Sequence, residues 1–332
     1  MKMKRTLIAA AMTSALALGA AAPAVANVYG VSSLHIDNLI ISVVDTGGNI
    51  QEANNFNFNI TNTAFLNGIG DATNATCSGT FGGDNDCGTE NPRLDAQPAN
   101  APDNDTGFDR TNNDFSLLGP GTGQYSGSDA VIRTAQLLGD PSTEIQQIAE
   151  SELQAGISAS ASALIQSTTG FTFDFDVVGT ATFNLEFDAI KNLLAEIQPG
   201  VSGGAAQADI NASFTLTQEE GGSGFVRWAP SGGDNCIDAG GVDCTVDDVG
   251  FNLNTNVGVT TAGTSDTLSG SGFFKVTATG LTEGRWTLTL NANTSTLLTQ
   301  QVQVPEPGML ALLGIGLAGL GLATRRRRLK LN

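Results

Sequence analysis

From Phe171 to Phe187 the chain alternates apolar and polar side chains. Phe171, Phe173, Phe175 and Val177 precede Gly179, and Ala181, Phe183, Leu185 and Phe187 follow it. A two-residue period is the repeat of an extended strand, and a helix cannot gather such residues on one face. The segment reads as a hairpin turning at Gly179 with one Phe-lined face buried. Residues 34–44 are rich in β-branched side chains and stop at Gly47-Gly48, and residues 56–60 alternate strictly. Further strands are expected at residues 208–217, 225–228, 251–259, 273–278 and 286–290, most of them separated by Gly, Asn or Asp clusters. The expected fold is all-β, an antiparallel β-sandwich or jelly roll with long loops.

Two short segments have helical spacing instead. Asp140-Pro141 can cap a helix carrying Ile145, Ile148 and Leu153, and Ile190, Leu193, Leu194 and Ile197 precede Pro199. Residues 67–124 lose periodicity, are acidic and rich in Gly, Asn and Asp, and contain Pro92, Pro98, Pro102 and Pro120. They read as long surface loops of the same body.

Both ends carry targeting patterns. Lys2, Lys4 and Arg5 precede a short apolar stretch, and Ala24-Val25-Ala26 supplies the small-x-small site of a signal peptidase. Residues 1–26 therefore read as a signal peptide with a helical apolar core, and the mature chain is expected to start at Asn27. The other end, residues 305–332, begins with Pro305-Glu306-Pro307. It continues with an uncharged apolar run of 15 residues, 309–323, and the cluster Arg325-Arg326-Arg327-Arg328. As a helix that run reaches only ~22 Å, less than a ~30 Å hydrocarbon core, so it inserts only with thinning or snorkelling. The arginines would stay cytoplasmic and the body would face outward.

The segment Val304-Pro305-Glu306-Pro307, the short Gly-rich apolar helix and the Arg cluster together resemble the PEP-CTERM sorting domain of exported bacterial proteins. The resemblance implies transient inner-membrane anchoring, removal of the tail by an exosortase, and a host that makes extracellular polysaccharide. More loosely, the body resembles β-rich PEP-CTERM proteins. It does so in Gly127-Ser128-Asp129-Ala130, Phe187-Asp188-Ala189, Phe225-Val226-Arg227-Trp228-Ala229-Pro230 and Leu281-Thr282-Glu283-Gly284-Arg285-Trp286. This second resemblance implies the β fold and brings no activity with it.

Charge excludes one class of partner. The chain has 15 basic and 33 acidic residues; eight of the former and one of the latter lie in the two ends. Residues 27–304 keep seven basic and 32 acidic residues, a net −25, so nothing there can neutralise nucleic-acid phosphates. The acids favour solubility and invite divalent cations. The best local pattern for Ca²⁺ is Asp103, Asp105 and Asp109 around Gly107, but it departs from an EF-hand loop and a solvated loop explains it better.

The four cysteines form two local pairs, Cys77–Cys87 and Cys236–Cys244, which favour disulfides in an exported protein over a metal site without zinc-ribbon spacing. Gly200-Val201-Ser202-Gly203-Gly204 matches GxSxG but follows Pro199, with the single His35 far upstream. Gly314-Ile315-Gly316-Leu317-Ala318-Gly319 matches GxGxxG inside the apolar tail, outside any βαβ unit. His35, in an expected strand, reads as a surface or edge residue. Acid pairs for a glycosidase cannot be picked out among 32 carboxylates. No catalytic residue and no bound cofactor is expected.

The sequence reads as an exported, noncatalytic protein of the cell surface or extracellular matrix, meeting signal peptidase, an exosortase and polysaccharide. The alternatives are a carbohydrate- or calcium-binding jelly-roll module, which should show Trp228 or Trp286 on a concave face, and a secreted hydrolase, which should show paired carboxylates in a cleft.

Overall fold

A computed structural model of the chain describes residues 27–49, 51, 53–80, 93–100, 115–121, 123–133, 143–154, 159–233, 235–248 and 250–301. They form thirteen strands and, among the described residues, no helix. The strands are β1 (Val28–Asp45), β2 (Ala53–Leu66), β3 (Ile69–Thr80), β4 (Arg93–Asn100), β5 (Tyr125–Arg133), β6 (Thr143–Leu153) and β7 (Ala159–Ile197). They continue with β8 (Gly204–Gln218), β9 (Phe225–Trp228), β10 (Cys236–Ala239), β11 (Asp243–Asp248), β12 (Thr255–Val259) and β13 (Thr264–Gln300). All belong to one antiparallel sheet. The all-β expectation holds at that level.

Two strands form the frame. β7 and β13 have 39 and 37 residues, against the ~3–10 usual in globular proteins, and pair from Thr264↔Ile197 to Gln300↔Ala159. β1 and β2 lie end to end on the far edge of β7, beside residues 181–197 and 161–175. β11 and β8 do the same on β13, beside residues 274–279 and 286–300. From β1 the sheet extends through β6 and β5 to β4; from β2 to β3; from β8 to β12, and through β9 to β10.

The expected hairpin at Gly179 does not form; the chain runs through it as part of β7. Val177 faces Gly284 and Thr180 faces Thr282, so β7 holds one extra residue there, and β13 holds one between Ala278 and Leu281. Such bulges bend and twist a strand without ending it. Gly284 has φ 136°, and a Cβ on it would stand 2.0 Å from the Glu220 carbonyl oxygen, so only glycine fits the bend. The strands expected at 273–278 and 286–290 are for the same reason one strand, β13. Phe251, expected in a strand, lies just before β12.

Hydrogen bonds between strands that are not neighbours show how the sheet bends back on itself. Ser32 Oγ of β1 donates to Asp209 O of β8 at 2.7 Å, and Ser128 Oγ of β5 donates to Thr63 O of β2 at 3.3 Å. Gln147 Nε2 of β6 donates to Ala292 O of β13 at 3.4 Å, and Ser151 Oγ of β6 meets Thr296 Oγ1 at 3.0 Å. On the inside of the bend lies the aromatic core. Phe175 and Phe183 stack across the bend at 6.2 Å, Phe214 lies 5.6 Å from Phe183, and Phe187 stacks on Phe274 at 5.0 Å. The alternation read from sequence is the face turned to this core: Phe173, Phe175, Val177, Ala181, Phe183, Leu185 and Phe187 are all buried.

Both expected helices are strands. Residues 143–153 are β6, and residues 190–197 end β7 with Lys191, Leu193, Ala195 and Ile197 buried in alternation. Leu194, on the opposite face, packs on a second, small cluster of Tyr29, Val31 and Ile148. Burial on two faces puts apolar residues at consecutive positions, which imitates helical spacing. Within residues 67–124, read from sequence as loop-rich, Ile69–Thr80 and Arg93–Asn100 are strands, while residues 81–92 and 101–114 lie outside the described residues. Asn67 and Gly68 turn β2 into β3 with φ 52° and 80°, the positive values a two-residue hairpin turn needs, and Asn-Gly supplies them cheaply.

Candidate functional site

The densest polar constellation among the described residues lies on the outer face of β6. Glu150 and Glu152 stand two apart on that strand, hence on one face, and both are fully buried, as is Asp129 on β5. Glu150 accepts the Tyr29 hydroxyl at 2.5 Å, the Gly119 N–H at 2.9 Å and the Leu118 N–H at 3.0 and 3.1 Å. Glu152 accepts the Gly121 N–H at 2.7 Å, the Gly123 N–H at 3.3 Å and a short bond from Asn27 Nδ2. The carboxylates thus hold the segment before β5 down as a strap. Glycines with positive φ at 119, 121 and 123 turn its N–H groups inward, much as backbone nests cradle anions. Burial, then the charges of Glu150 and Glu152 and the neighbouring Tyr29 phenol, push the Tyr125 hydroxyl far above the usual tyrosine range.

Chemically this is an anchor. The oxygens that a glycosidase would aim at substrate and water are directed at main-chain donors and closed from solvent. Sequence reasoning missed the pair because residues 140–153 read as a helix. In a strand, the Glu-x-Glu spacing alone places both carboxylates on one face.

The residues singled out from sequence fall elsewhere. His35 lies on β1 between β6 and β7, so it is not at an edge; its side chain is half-exposed and its Nε2 is 2.9 Å from Glu144 Oε1. Ser202 of the GxSxG segment sits in the β7–β8 loop, as expected, and its Oγ donates to Gln301 O at 2.9 Å. Trp228 and Trp286 are both buried, so neither lies on an exposed concave face. Trp228 lines an apolar cavity of ≈ 40 Å³ with Leu39, Leu185, Phe187 and Leu290. That is room for water-sized occupants, far from the ~300–1,000 Å³ of a ligand site.

Cys236 and Cys244 form a disulfide with Cα atoms 6.1 Å apart. Cys77 is disulfide-bonded too, and its expected partner, Cys87, lies outside the described residues. So do Asp103, Asp105 and Asp109, Ala24 and Ala26 of the cleavage site, and the tail from Pro305, Glu306 and Pro307 to Arg325–Arg328. Among the described residues no group of acids, His or Cys is arranged to hold a metal ion, and no helix is long and apolar enough to cross a membrane.

No curated protein matches the chain. The solved structure of the infectious bursal disease virus Gt strain aligns with 90% of this chain and 88% of that chain. Its identity is 11% and its TM-score 0.09, too weak to bear on the fold. The informative match is local, to the family model of the PEP-CTERM protein-sorting motif over residues 303–328. The chain therefore carries a PEP-CTERM sorting signal, which implies an exported, cell-surface-associated protein sorted by an exosortase.

Proposed function

We propose that this is a noncatalytic structural protein of the cell surface or extracellular matrix, released from transient membrane anchoring when an exosortase removes its tail. The observation that carries the reading is the sorting motif at residues 303–328. The body supports it. The buried Glu150 and Glu152 are engaged in holding a loop, both tryptophans are buried in the core, and the cavity beside Trp228 is of water size. We read the bent sheet as a sandwich made from one sheet, with the acidic, Asn/Ser/Thr-rich outer face left to mix with polysaccharide and to bridge divalent cations. Processing by signal peptidase after Ala26 precedes these steps.

Fractionation of the native host with and without its exosortase tests the reading. The surface form should lack Arg325–Arg328 by intact mass, and the exosortase-deficient host should retain a membrane-bound precursor. A surface form still carrying the arginines would overturn it. Melts of the mature protein in Ca²⁺, Mg²⁺ and NaCl of matched ionic strength separate diffuse screening from a Ca²⁺ site at Asp103, Asp105 and Asp109. A Ca²⁺-specific shift lost in Asp105→Ala would favour the calcium-binding alternative.

A further inference from the structure

Asn27 is held at three points where the mature chain is expected to start. Its backbone N–H donates to Gln198 Oε1 at 3.3 Å, its carbonyl accepts the Gln198 N–H at 2.9 Å, and its Nδ2 donates to the buried Glu152. Its Oδ1 is buried and accepts no hydrogen bond. While residue 27 is joined to residue 26, its nitrogen has one proton, already given to Gln198. A leftover buried acceptor beside a carboxylate is the environment of a cation with protons to spare.

We propose that the pocket of Glu152, Gln198 and Asn27 Oδ1 is the receptor for the α-ammonium that cleavage after Ala26 creates, so that removal of the leader completes the fold. This rests on the cleavage reading. Hydrolysis of the Ala26–Asn27 bond adds water: the carboxylate leaves with the leader, and the new amine takes up protons at Asn27. One N–H stays on Gln198 Oε1, a second reaches Asn27 Oδ1, and the positive charge lies beside Glu152. The other groups around it are Glu150 on β6, Tyr125 on β5, opposite Glu152, Tyr29 on β1 and Glu196, opposite Tyr29 on β7. None of these is cationic, so the carboxylates favour the protonated amine against the burial that disfavours it, and the docking requires that they raise its pKa on balance. A raised pKa gives stability that is complete below the unfolded value of ~8 and is lost as pH rises through the folded value.

The test uses protein exported from the full-length precursor. Three forms are compared: the natural protein, Glu152→Gln, and a form with Ser-Gln inserted between Ala26 and Asn27, which moves the ammonium two residues upstream. Thermal midpoints are read at about pH 6 and about pH 10, either side of the ordinary α-amino value. The natural protein should lose several degrees more than the insertion form over that interval, and Glu152→Gln should follow the insertion form. Titration of Lys191 is common to all three and cancels; Tyr125 feels the charge of Glu152, so its titration cancels only between the natural and insertion forms, and that pair carries the comparison. If Glu152→Gln does not fold, the rate at which acetic anhydride labels the Asn27 amine decides, being slow in the native protein and fast in urea. Equal pH dependence in the natural and insertion forms, or a freely labelled amine, overturns the docking. An intact mass starting elsewhere than Asn27 overturns it at the cleavage step, which the mass alone distinguishes.

Discussion

Glu150 accepts the Tyr29 hydroxyl at 2.5 Å, and neither side chain reaches solvent. The same carboxylate takes the Leu118 and Gly119 N–H groups, so it ties β1, β6 and the strap into one unit. Replacing it with Ala leaves three donors without their acceptor at a buried site, where hydrogen bonds to charged groups each contribute about 1.5–3 kcal/mol. Glu150→Ala should cost at least ~3 kcal/mol in urea unfolding. Glu150→Gln should fall between, since its amide keeps one acceptor and turns a donor toward other donors. A loss below ~0.5 kcal/mol for Glu150→Ala, the level of an ordinary surface change, would remove the anchoring role.

How far the sequence discloses the fold depends on how many faces of each strand are covered. β8 and the middle of β7 bury one face, so Phe183, Leu185 and Phe187, or Ile210, Phe214 and Leu216, announce themselves by alternation. β6 is covered on both faces, by the core and by the strap, so Ile145, Ile148, Glu150 and Leu153 show no two-residue period. The carboxylate site was hidden by the same burial, because its partners are main-chain N–H groups that leave no side-chain pattern. Gly179 marks an irregularity correctly, but whether a glycine reverses or bends the chain depends on β1, β2 and β13, hydrogen-bonded alongside β7. The sorting tail was legible because its signal is wholly local.

Trp228 and Trp286 differ in one respect that mutagenesis can isolate. Both are buried, but Trp286 Nε1 donates to Thr282 O at 3.0 Å, whereas Trp228 Nε1 has no acceptor. Changing each to Phe removes similar apolar volume, and only Trp286→Phe also breaks a hydrogen bond. Trp286→Phe should therefore be the more destabilising by about 1 kcal/mol in denaturant melts. Equal losses, or a larger loss for Trp228→Phe, would mean that packing around the small cavity outweighs the hydrogen bond.

Lys191 gives a pH dependence of definite sign. Its side chain is buried, bonds the Asn252 carbonyl and lies 4.3 Å from the centre of the Phe251 ring; burial holds its pKa below the usual lysine range. The unfolded lysine keeps its proton up to ~10.4, so between the folded value and that limit the unfolded state binds more protons and stability rises with pH. Lys191→Met, which keeps a flexible apolar stem, should abolish this rise. Melts of both proteins across the alkaline range check it; parallel curves would show that the lysine does not titrate differently on folding.

The Cys236–Cys244 disulfide joins two strands, β10 and β11, that no backbone ladder pairs with each other. Cys236 on β10 pairs opposite Trp228 of β9, reached through β8, while Cys244 on β11 pairs opposite Ala278 of β13. β10 has only four residues and one neighbouring strand, so little else holds it; Asp238 Oδ2 accepts the Cys244 N–H at 2.7 Å. Closing a loop of sequence separation 8 restricts the unfolded chain enough to stabilise the fold by about 2.5 kcal/mol in the chain-entropy account. The double change Cys236→Ser and Cys244→Ser should lower stability by that order. Hydrogen exchange should also quicken in β10 and β11 before it does in β8. If the double variant unfolds at the same denaturant concentration with unchanged exchange, the strands are held by their hydrogen bonds alone and the disulfide serves no structural purpose there.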